Sequence, residues 1–231
     1  MILYAIPTPL GASVESSLPI GTLGQIRELK DFVVENAKSA RAFLSAAGCH
    51  PRGLSITELN EHTPPGDVPR LLSPLREGRP LGLLSEAGCP AIADPGAALV
   101  EAAHAAGFRV VPLVGPSAIT LALMASGLEG QRFAFCGYLP RDAAQRAQRI
   151  KQLEQRSRRE RETQIFIETP YRNDALLGAL LDTCALATRL CIAADLTLPT
   201  ESIRTQPVAD WRRARTTLGK RPAVFLLLAR T

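Results

Sequence analysis

Short apolar runs alternate along the chain with stretches whose apolar positions recur every three to four residues. Ile2–Ile6 reads as a strand, followed by a Pro/Gly/Ser-rich loop from Pro7 to Gly21. A short helix over Thr22–Lys30, a strand at Phe32–Val34 and a helix over Ala37–Ala47, ended by Gly48, come next. Leu54–Thr57 is a strand. Pro64, Pro65 and Gly66 open a helix that runs through Leu75. Leu81–Leu84 is apolar at every position, as a central parallel strand requires. Asp94-Pro95 then reads as an N-cap with proline at the first helical position, starting a helix to Ala106. Arg109–Leu113 closes a five-strand alternation, which predicts a mostly parallel sheet covered on both faces.

The second half has a different rhythm. Helices are predicted over Ser117–Ala125, Asp142–Gln155 and Tyr171–Cys184, and strands at Phe133–Cys136 and Gln164–Glu168. Three more strand candidates follow at Leu190–Ala194, Glu201–Thr205 and Ala223–Ala229. Consecutive strands imply a mixed sheet. The expectation is an α/β protein with two domains, residues 1–113 and 114–231.

Composition narrows the class. A chain of 231 residues with 46% hydrophobic and 21% charged residues buries a sizeable core and is not disordered. No stretch of about 18 apolar residues lacks charge or proline, so no membrane span is expected. No basic run precedes the apolar start, which reads as a strand and not as a signal peptide. The five cysteines form no CxxC pair and the three histidines have no metal-ligand spacing, so neither a disulfide framework nor a metal site is expected. The cysteine usage points to a cytoplasmic protein.

Charge is unevenly placed. Residues 1–140 carry ten basic and twelve acidic side chains, whereas 141–162 carry eight and four, and 204–221 carry six and one. Arginine dominates both basic segments, and its planar fork suits phosphate. Two readings stay open: a surface that meets RNA, or solvated helix faces. No stacking aromatics alternate with the arginines along the chain.

Glycine and proline concentrate after three predicted strands: Pro7–Gly11, Ser85–Gly96 and Val114–Ala118. Ligands of open α/β sheets bind beyond the carboxyl ends of the strands, so three such loops on one edge predict a binding cleft. The chain has no GxGxxG after the first strand, no GxxxxGK[ST] and no GxSxG. On the residues alone the ligand is a small molecule not led by phosphate.

The run Gly78-Arg-Pro-Leu-Gly-Leu-Leu-Ser-Glu-Ala-Gly-Cys-Pro-Ala-Ile-Ala-Asp-Pro-Gly96 resembles the most distinctive segment of the tetrapyrrole-methylase-like S-adenosylmethionine-dependent methyltransferases. It is most similar to the branch of the ribosomal RNA small subunit methyltransferases I. Leu3–Gly11, Val114–Ala118 and Phe166–Arg172 match as well, in order. The resemblance implies two α/β domains with S-adenosylmethionine in a cleft between them, a homodimer, and methyl transfer to RNA. It places cofactor contacts at Leu10, Ala87, Gly88, Cys89, Ile92, Ser117 and Ala118, and further ones at Glu168, Leu196 and Ala223.

There are departures. The branch carries an acidic E-D-T-R stretch where Glu35-Asn36-Ala37-Lys38 stands here, and Glu86 and Cys89 replace an Asp and a Thr of the long motif. The branch's C-terminal extension has no counterpart. Three functions therefore stay open: an RNA methyltransferase, a methyltransferase of a tetrapyrrole or other acceptor, and a non-catalytic binding protein. Glu35, Glu61, Glu86, Glu168 and His62 lie near predicted strand ends, and the sequence assigns none of them as a base. Nothing near Cys89 would make it a nucleophile.

Overall fold

The computed structural model describes residues 1–50 and 52–229. They form two compact units, Met1–Ser117 and Ala118–Thr231, the second described to Ala229. In chain order the first unit contains β1 (Ile2–Ile6), α1 (Val14–Ser17), α2 (Ile20–Arg27), β2 (Asp31–Val34) and α3 (Ala37–Ala46). It continues with β3 (Ser55–Glu58), a 3₁₀ segment (Pro65–Leu72), α4 (Ser73–Arg76), β4 (Leu81–Leu84), α5 (Gly96–Ala105) and β5 (Arg109–Pro112).

The sheet order is β3-β2-β4-β1-β5, and every pairing is parallel. The strict alternation of β-strand side chains explains why Phe32–Val34 of β2 and Leu81–Leu84 of β4 are apolar at successive positions, with Asp31 at the start of β2 paired to Arg79. Phe32, Val34 and Leu84 pack on one face with Leu23, Ile26 and Leu44. Val33, Leu81 and Leu83 pack on the other with Leu72, Leu75 and Leu99.

Three local differences from the sequence reading have physical causes. Residues 65–72 coil as 3₁₀ and not α, with Pro69 inside the segment. Proline removes an i→i−4 donor and crowds the preceding turn, which an α-helix tolerates poorly. Within the predicted loop, Ser13 caps the short α1 by accepting the Ser16 N–H. Helix α5 starts at Gly96, one residue later than Asp94-Pro95 implied, with Pro95 at the cap position.

The second unit contains α6 (Ala118–Ser126), β6 (Phe133–Tyr138), α7 (Ala143–Glu160), β7 (Thr163–Ile167) and a 3₁₀ turn at Pro170–Arg172. Then come α8 (Asn173–Thr183), β8 (Arg189–Ala194), β9 (Ser202–Pro207), α9 (Val208–Ala214) and β10 (Ala223–Leu228). The order is β6-β7-β10-β8-β9. Only β6 and β7 run parallel; β10 is antiparallel to both neighbours, as is β9 to β8. Phe166 and Phe225 stack with ring centroids 6.0 Å apart, in a core shared with Ile150, Leu153, Leu177 and Trp211. Helix α7 extends past the predicted Gln155 to a left-handed cap at Arg161. Helix α9 was not predicted; Val208 and Trp211 anchor it to the core.

Candidate functional site

Because the first sheet is wholly parallel, its five carboxyl ends share one edge. The strand order places β4, β1 and β5 side by side, so the three Gly/Pro-rich loops leave from adjacent strands. Thr8 and Gly88 pair as an isolated bridge, Thr8 N–H to Gly88 O at 2.9 Å and Gly88 N–H to Thr8 O at 3.1 Å. The Ser85 hydroxyl also donates to Gly88 O, at 3.1 Å. The Cys89 thiol donates to Pro116 O at 3.4 Å and ties the second loop to the third. Main chain therefore holds Leu10, Ala87, Gly88, Cys89 and Ser117 in one loop cluster.

Two glycines set how closely the loops approach. Gly88 has φ +76°, and a Cβ there would lie 3.2 Å from Leu10 Cδ2. A Cβ on Gly115 would fall 2.4 Å from Pro7 Cγ, far inside contact distance. The loop after β4 is turned by Asp94, whose Oδ1 accepts Ala91 N–H at 2.8 Å and Gly96 N–H at 2.7 Å. That turn holds Ala91 and Ala93 at φ +66° and +62°, a region in which a non-glycine residue costs about 1–3 kcal/mol. Between the two alanines Ile92 stands 48% exposed. A strained turn that presents an apolar side chain to solvent is a feature expected of a ligand contact.

Burial raises the Cys89 thiol pKa, and a hydrogen bond with Ser117 offsets only part of the rise. The thiol stays protonated near neutrality, so Cys89 serves as a small wall residue and not as a nucleophile.

The other half of the edge, over β3, β2 and β4, is an open groove of about 680 Å³. Glu35, Asn36, Asn60, Glu61, His62, Glu86 and Asp94 line it. Sequence reasoning treated several of these residues singly; only the strand order shows that they share one groove. The Glu35 carboxylate accepts Glu86 N–H at 3.2 Å. Burial raises its pKa above the ordinary value, the Glu86 N–H opposes this, and the Asp94 and Glu86 charges add to the rise. The Asp94 pKa is raised as well, by burial, against its two backbone donors. His62 is exposed, with Nε2 3.7 Å from Glu61 Oε1. Asn36, where the family branch has Asp, caps α3 by accepting Lys38 N–H at 2.9 Å and Ser39 N–H at 3.2 Å. Asn and Asp cap helices about equally well, so this departure leaves the local structure intact.

In the second unit, Glu168, Leu196 and Ala223 come to one edge of their own sheet, at the ends of β7 and β8 and the start of β10. Register fixes this, since Ala223 pairs with Ala194 and Val224 with Ile167. Glu168 is buried, ion-pairs with Arg172 at 3.1 Å and accepts Thr169 N–H at 2.8 Å. Ala118 begins α6. Thr8 and Ser85, which stitch the first site together, were not singled out from sequence; their position at strand ends beside glycine was the available signal.

Residues 36–211 match the family model described as tetrapyrrole (corrin/porphyrin) methylases. A ribosomal RNA small subunit methyltransferase I of Pseudomonas aeruginosa is 34% identical over 212 residues, 90% of this chain and 72% of that protein. The enzyme of the same name from Mesorhizobium japonicum is 34% identical over 203 residues, 88% of this chain and 66% of that protein. This chain therefore spans about two thirds of the length of the relatives it matches. The fold is similar to the solved structure of the methyltransferase CobJ, with a TM-score of 0.67 at 20% identity over 99% of this chain and 93% of that one. A uroporphyrin-III-C-methyltransferase from Thermus thermophilus superposes with a TM-score of 0.58 at 19% identity, over 98% and 91% of the two chains. On the extent of the family match and the identity to these relatives, the chain belongs to the tetrapyrrole methylase family.

Proposed function

We propose that this chain transfers a methyl group from S-adenosylmethionine to small-subunit ribosomal RNA. The observation that carries the reading is the loop cluster over β4, β1 and β5, walled by main chain and apolar side chains. It offers no phosphate cradle, and it suits a neutral adenosine bearing a sulfonium. Leu10, Ala87, Gly88, Cys89, Ile92, Ser117 and Ala118 would hold this cofactor, and Glu168, Leu196 and Ala223 are proposed as further contacts. The RNA acceptor is supported by the names of the relatives, and the arginine-rich segments 141–162 and 204–221 are the candidate contacts for it. A homodimer in the cytoplasm is the proposed assembly and setting.

The bound cofactor supplies an already activated methyl group, so the protein's task is alignment and proton management. The groove beside the loop cluster receives the acceptor. Its carboxylates would repel a phosphodiester, so the reacting group and not the backbone faces them. For a hydroxyl acceptor, Glu35 would take the hydroxyl proton as the methyl carbon exchanges its bond to the sulfonium sulfur for one to the acceptor oxygen, with S-adenosylhomocysteine as the leaving group. A carboxylate with a raised pKa is better matched to that task than an ordinary one.

The test is transfer of labelled methyl from S-adenosylmethionine to small-subunit RNA extracted from cells that lack the protein. Incorporation into that RNA is expected. Cofactor binding without labelling of the RNA would point to another acceptor, and absence of cofactor binding would point to a non-catalytic module.

A further inference from the structure

The second unit holds a cavity of about 100 Å³ that the chemistry above does not use. Strand pairing builds it. The antiparallel register sets Arg204 of β9 opposite Ile192 of β8, and Ser202 opposite Ala194. Opposed residues share a sheet face, as do residues two apart on one strand, so these four side chains stand on one face. Ile192 and Ala194 belong to the core that also holds Trp211 and Leu218, so this is the face that α9 covers. Ile192, Ala194, Trp211 and Leu218 are buried and form an apolar floor. Ser202, Arg204, Thr216, Thr217 and Arg221 form the polar rim. Among the described residues no carboxylate lines the cavity.

The loop after α9 makes the other wall. Arg215, with φ +46°, turns the chain back at the end of the helix. Asp174 then accepts Leu218 N–H at 2.6 Å and Gly219 N–H at 3.2 Å. Asn173 Nδ2 donates to Arg221 O at 2.6 Å. The loop is thus pinned to the start of α8, and Thr216 and Thr217 are held in place before a ligand arrives. Pre-organisation of this kind spares a ligand the cost of ordering the site.

The arginines here are used unequally. Arg212 donates to Leu181 O and Arg213 pairs with Asp210, outside the cavity. Arg221 donates through Nε to Asp195 Oδ2 and through Nη2 to Thr200 O, both at 2.6 Å, which fixes its fork and leaves Nη1. Arg204 lies over the Trp211 ring, 5.5 Å from its centroid. Stacking positions a guanidinium and occupies none of its five N–H donors. Among the described residues, neither the Arg204 guanidinium nor the hydroxyls of Ser202, Thr216 and Thr217 have a hydrogen-bond partner.

We infer that this cavity binds a phosphomonoester, a terminal phosphate group held by Arg204, Arg221 and the three hydroxyls. Planar guanidinium forks and hydroxyls are the donors that phosphate oxygens take. They come from three directions: from β9, from residues 216–217 and from Arg221. A terminal phosphate offers three free oxygens and close to two charges. A carboxylate offers two oxygens in one plane, and a phosphate inside a polynucleotide offers two and a single charge. Water takes about 30 Å³ per molecule in the liquid, so the cavity has room for one such group and not for a nucleoside. The apolar floor lowers the local dielectric and strengthens the attraction to the fixed guanidiniums. The ligand is therefore an end group or a small molecule, and the inference does not depend on the methyl transfer proposed above.

The test titrates the full chain with inorganic phosphate at about 0.15 M ionic strength, by calorimetry and by phosphorus NMR line broadening. One saturable site is expected, with a Kd of about 1 mM or below. Arg204→Gln should weaken binding at least about tenfold, through loss of a charge-assisted pair. Thr217→Val keeps the side-chain shape, removes one hydroxyl and should weaken binding about threefold to tenfold. Arg213→Gln removes the same charge outside the cavity and should stay within about twofold of native. Thermal melts accompany each variant. Should Arg204→Gln melt early for want of its cover on Trp211, Thr217→Val decides.

Competition identifies the source of the group. Adenosine 5′-monophosphate or a uridine hexamer with a 5′-phosphate should displace inorganic phosphate, and the same hexamer with a 5′-hydroxyl should not. Stronger displacement by the mononucleotide assigns the site to a free nucleotide, and stronger displacement by the phosphorylated hexamer assigns it to an RNA end; either supports the inference. Equal displacement by the 5′-hydroxyl hexamer makes internal phosphates the ligand and overturns it. Equal displacement by acetate makes the cavity a carboxylate site and also overturns it. So does native-like binding by a folded Arg204→Gln or Thr217→Val variant, an equal loss in Arg213→Gln, or the absence of saturation. Binding of S-adenosylmethionine and methylation of RNA are measured separately, so failure here leaves the functional proposal standing.

Discussion

Thr8 and Gly88, 80 positions apart, exchange two backbone hydrogen bonds at 2.9 and 3.1 Å and so join the loop after β1 to the loop after β4. The bridge is antiparallel and separate from the parallel β1–β4 ladder, which ends at Ile6 and Leu84, and it joins the two connections into one wall. Gly88 is needed there, because its φ of +76° lies where side chains are disfavoured and Leu10 closes the space. Gly88→Ala should lower stability by about 1–2 kcal/mol and weaken S-adenosylmethionine binding at least tenfold. Thermal melts and calorimetry check the two effects separately.

Asp94 makes the second prediction. Its carboxylate accepts two backbone N–H groups and holds the strained Ala91–Ala93 turn. Charge-assisted bonds of this kind contribute about 1.5–3 kcal/mol, so Asp94→Ala should destabilise by that order and release Ile92 from its position. Asp94→Asn keeps an acceptor oxygen and should recover most of the loss. Equal melting temperatures for native and Asp94→Ala would contradict the role.

Much of this arrangement is legible in the chain. The wholly apolar Leu81–Leu84 marked a central strand, and the Gly/Pro clusters marked the loops at its carboxyl edge. The acidic groove was not legible, because Glu35, Asn60 and Glu86 are adjacent only through the β3-β2-β4 order, which no local pattern encodes. The internal partners of the second arginine-rich segment were hidden for the same reason. The partners of Arg212 and Arg221 are Leu181 O, Asp195 and Thr200 O, on segments remote in sequence. The 3₁₀ segment escaped because the apolar spacing of Val68, Leu72 and Leu75 fits an α-helix, while Pro69 decides the hydrogen bonding.

Glu35→Gln should separate catalysis from stability. As a base Glu35 acts deprotonated, so the transfer rate should rise with pH through its raised pKa, and the variant should lose that limb. The rate constant should fall by about 10²–10⁴ with cofactor affinity unchanged. The stability sign is opposite. A carboxyl with a folded pKa above its unfolded value contributes stability below the unfolded pKa and loses it as pH rises through the folded one. At neutral pH the native carboxylate is therefore unfavourable to the fold, and Glu35→Gln should melt at or above the native temperature. A variant with native transfer rates would remove Glu35 from the chemistry.

Asp195 provides the reverse case. The Arg221 guanidinium, 2.6 Å away, holds its pKa below the ordinary carboxylate value. Its contribution is present above the unfolded pKa and is lost as pH falls through the folded one. Arg221→Met should flatten that acid limb of the melting temperature against pH, and an unchanged limb would show that the pair does not couple to folding.

The most direct measurement is calorimetric titration of the native protein with S-adenosylmethionine, with Gly88→Ala run alongside. The account predicts saturable heat at one site per chain, and at least tenfold weaker binding when the wall at Thr8–Gly88 is disturbed. No heat with the native protein, or identical isotherms for the two, would contradict it.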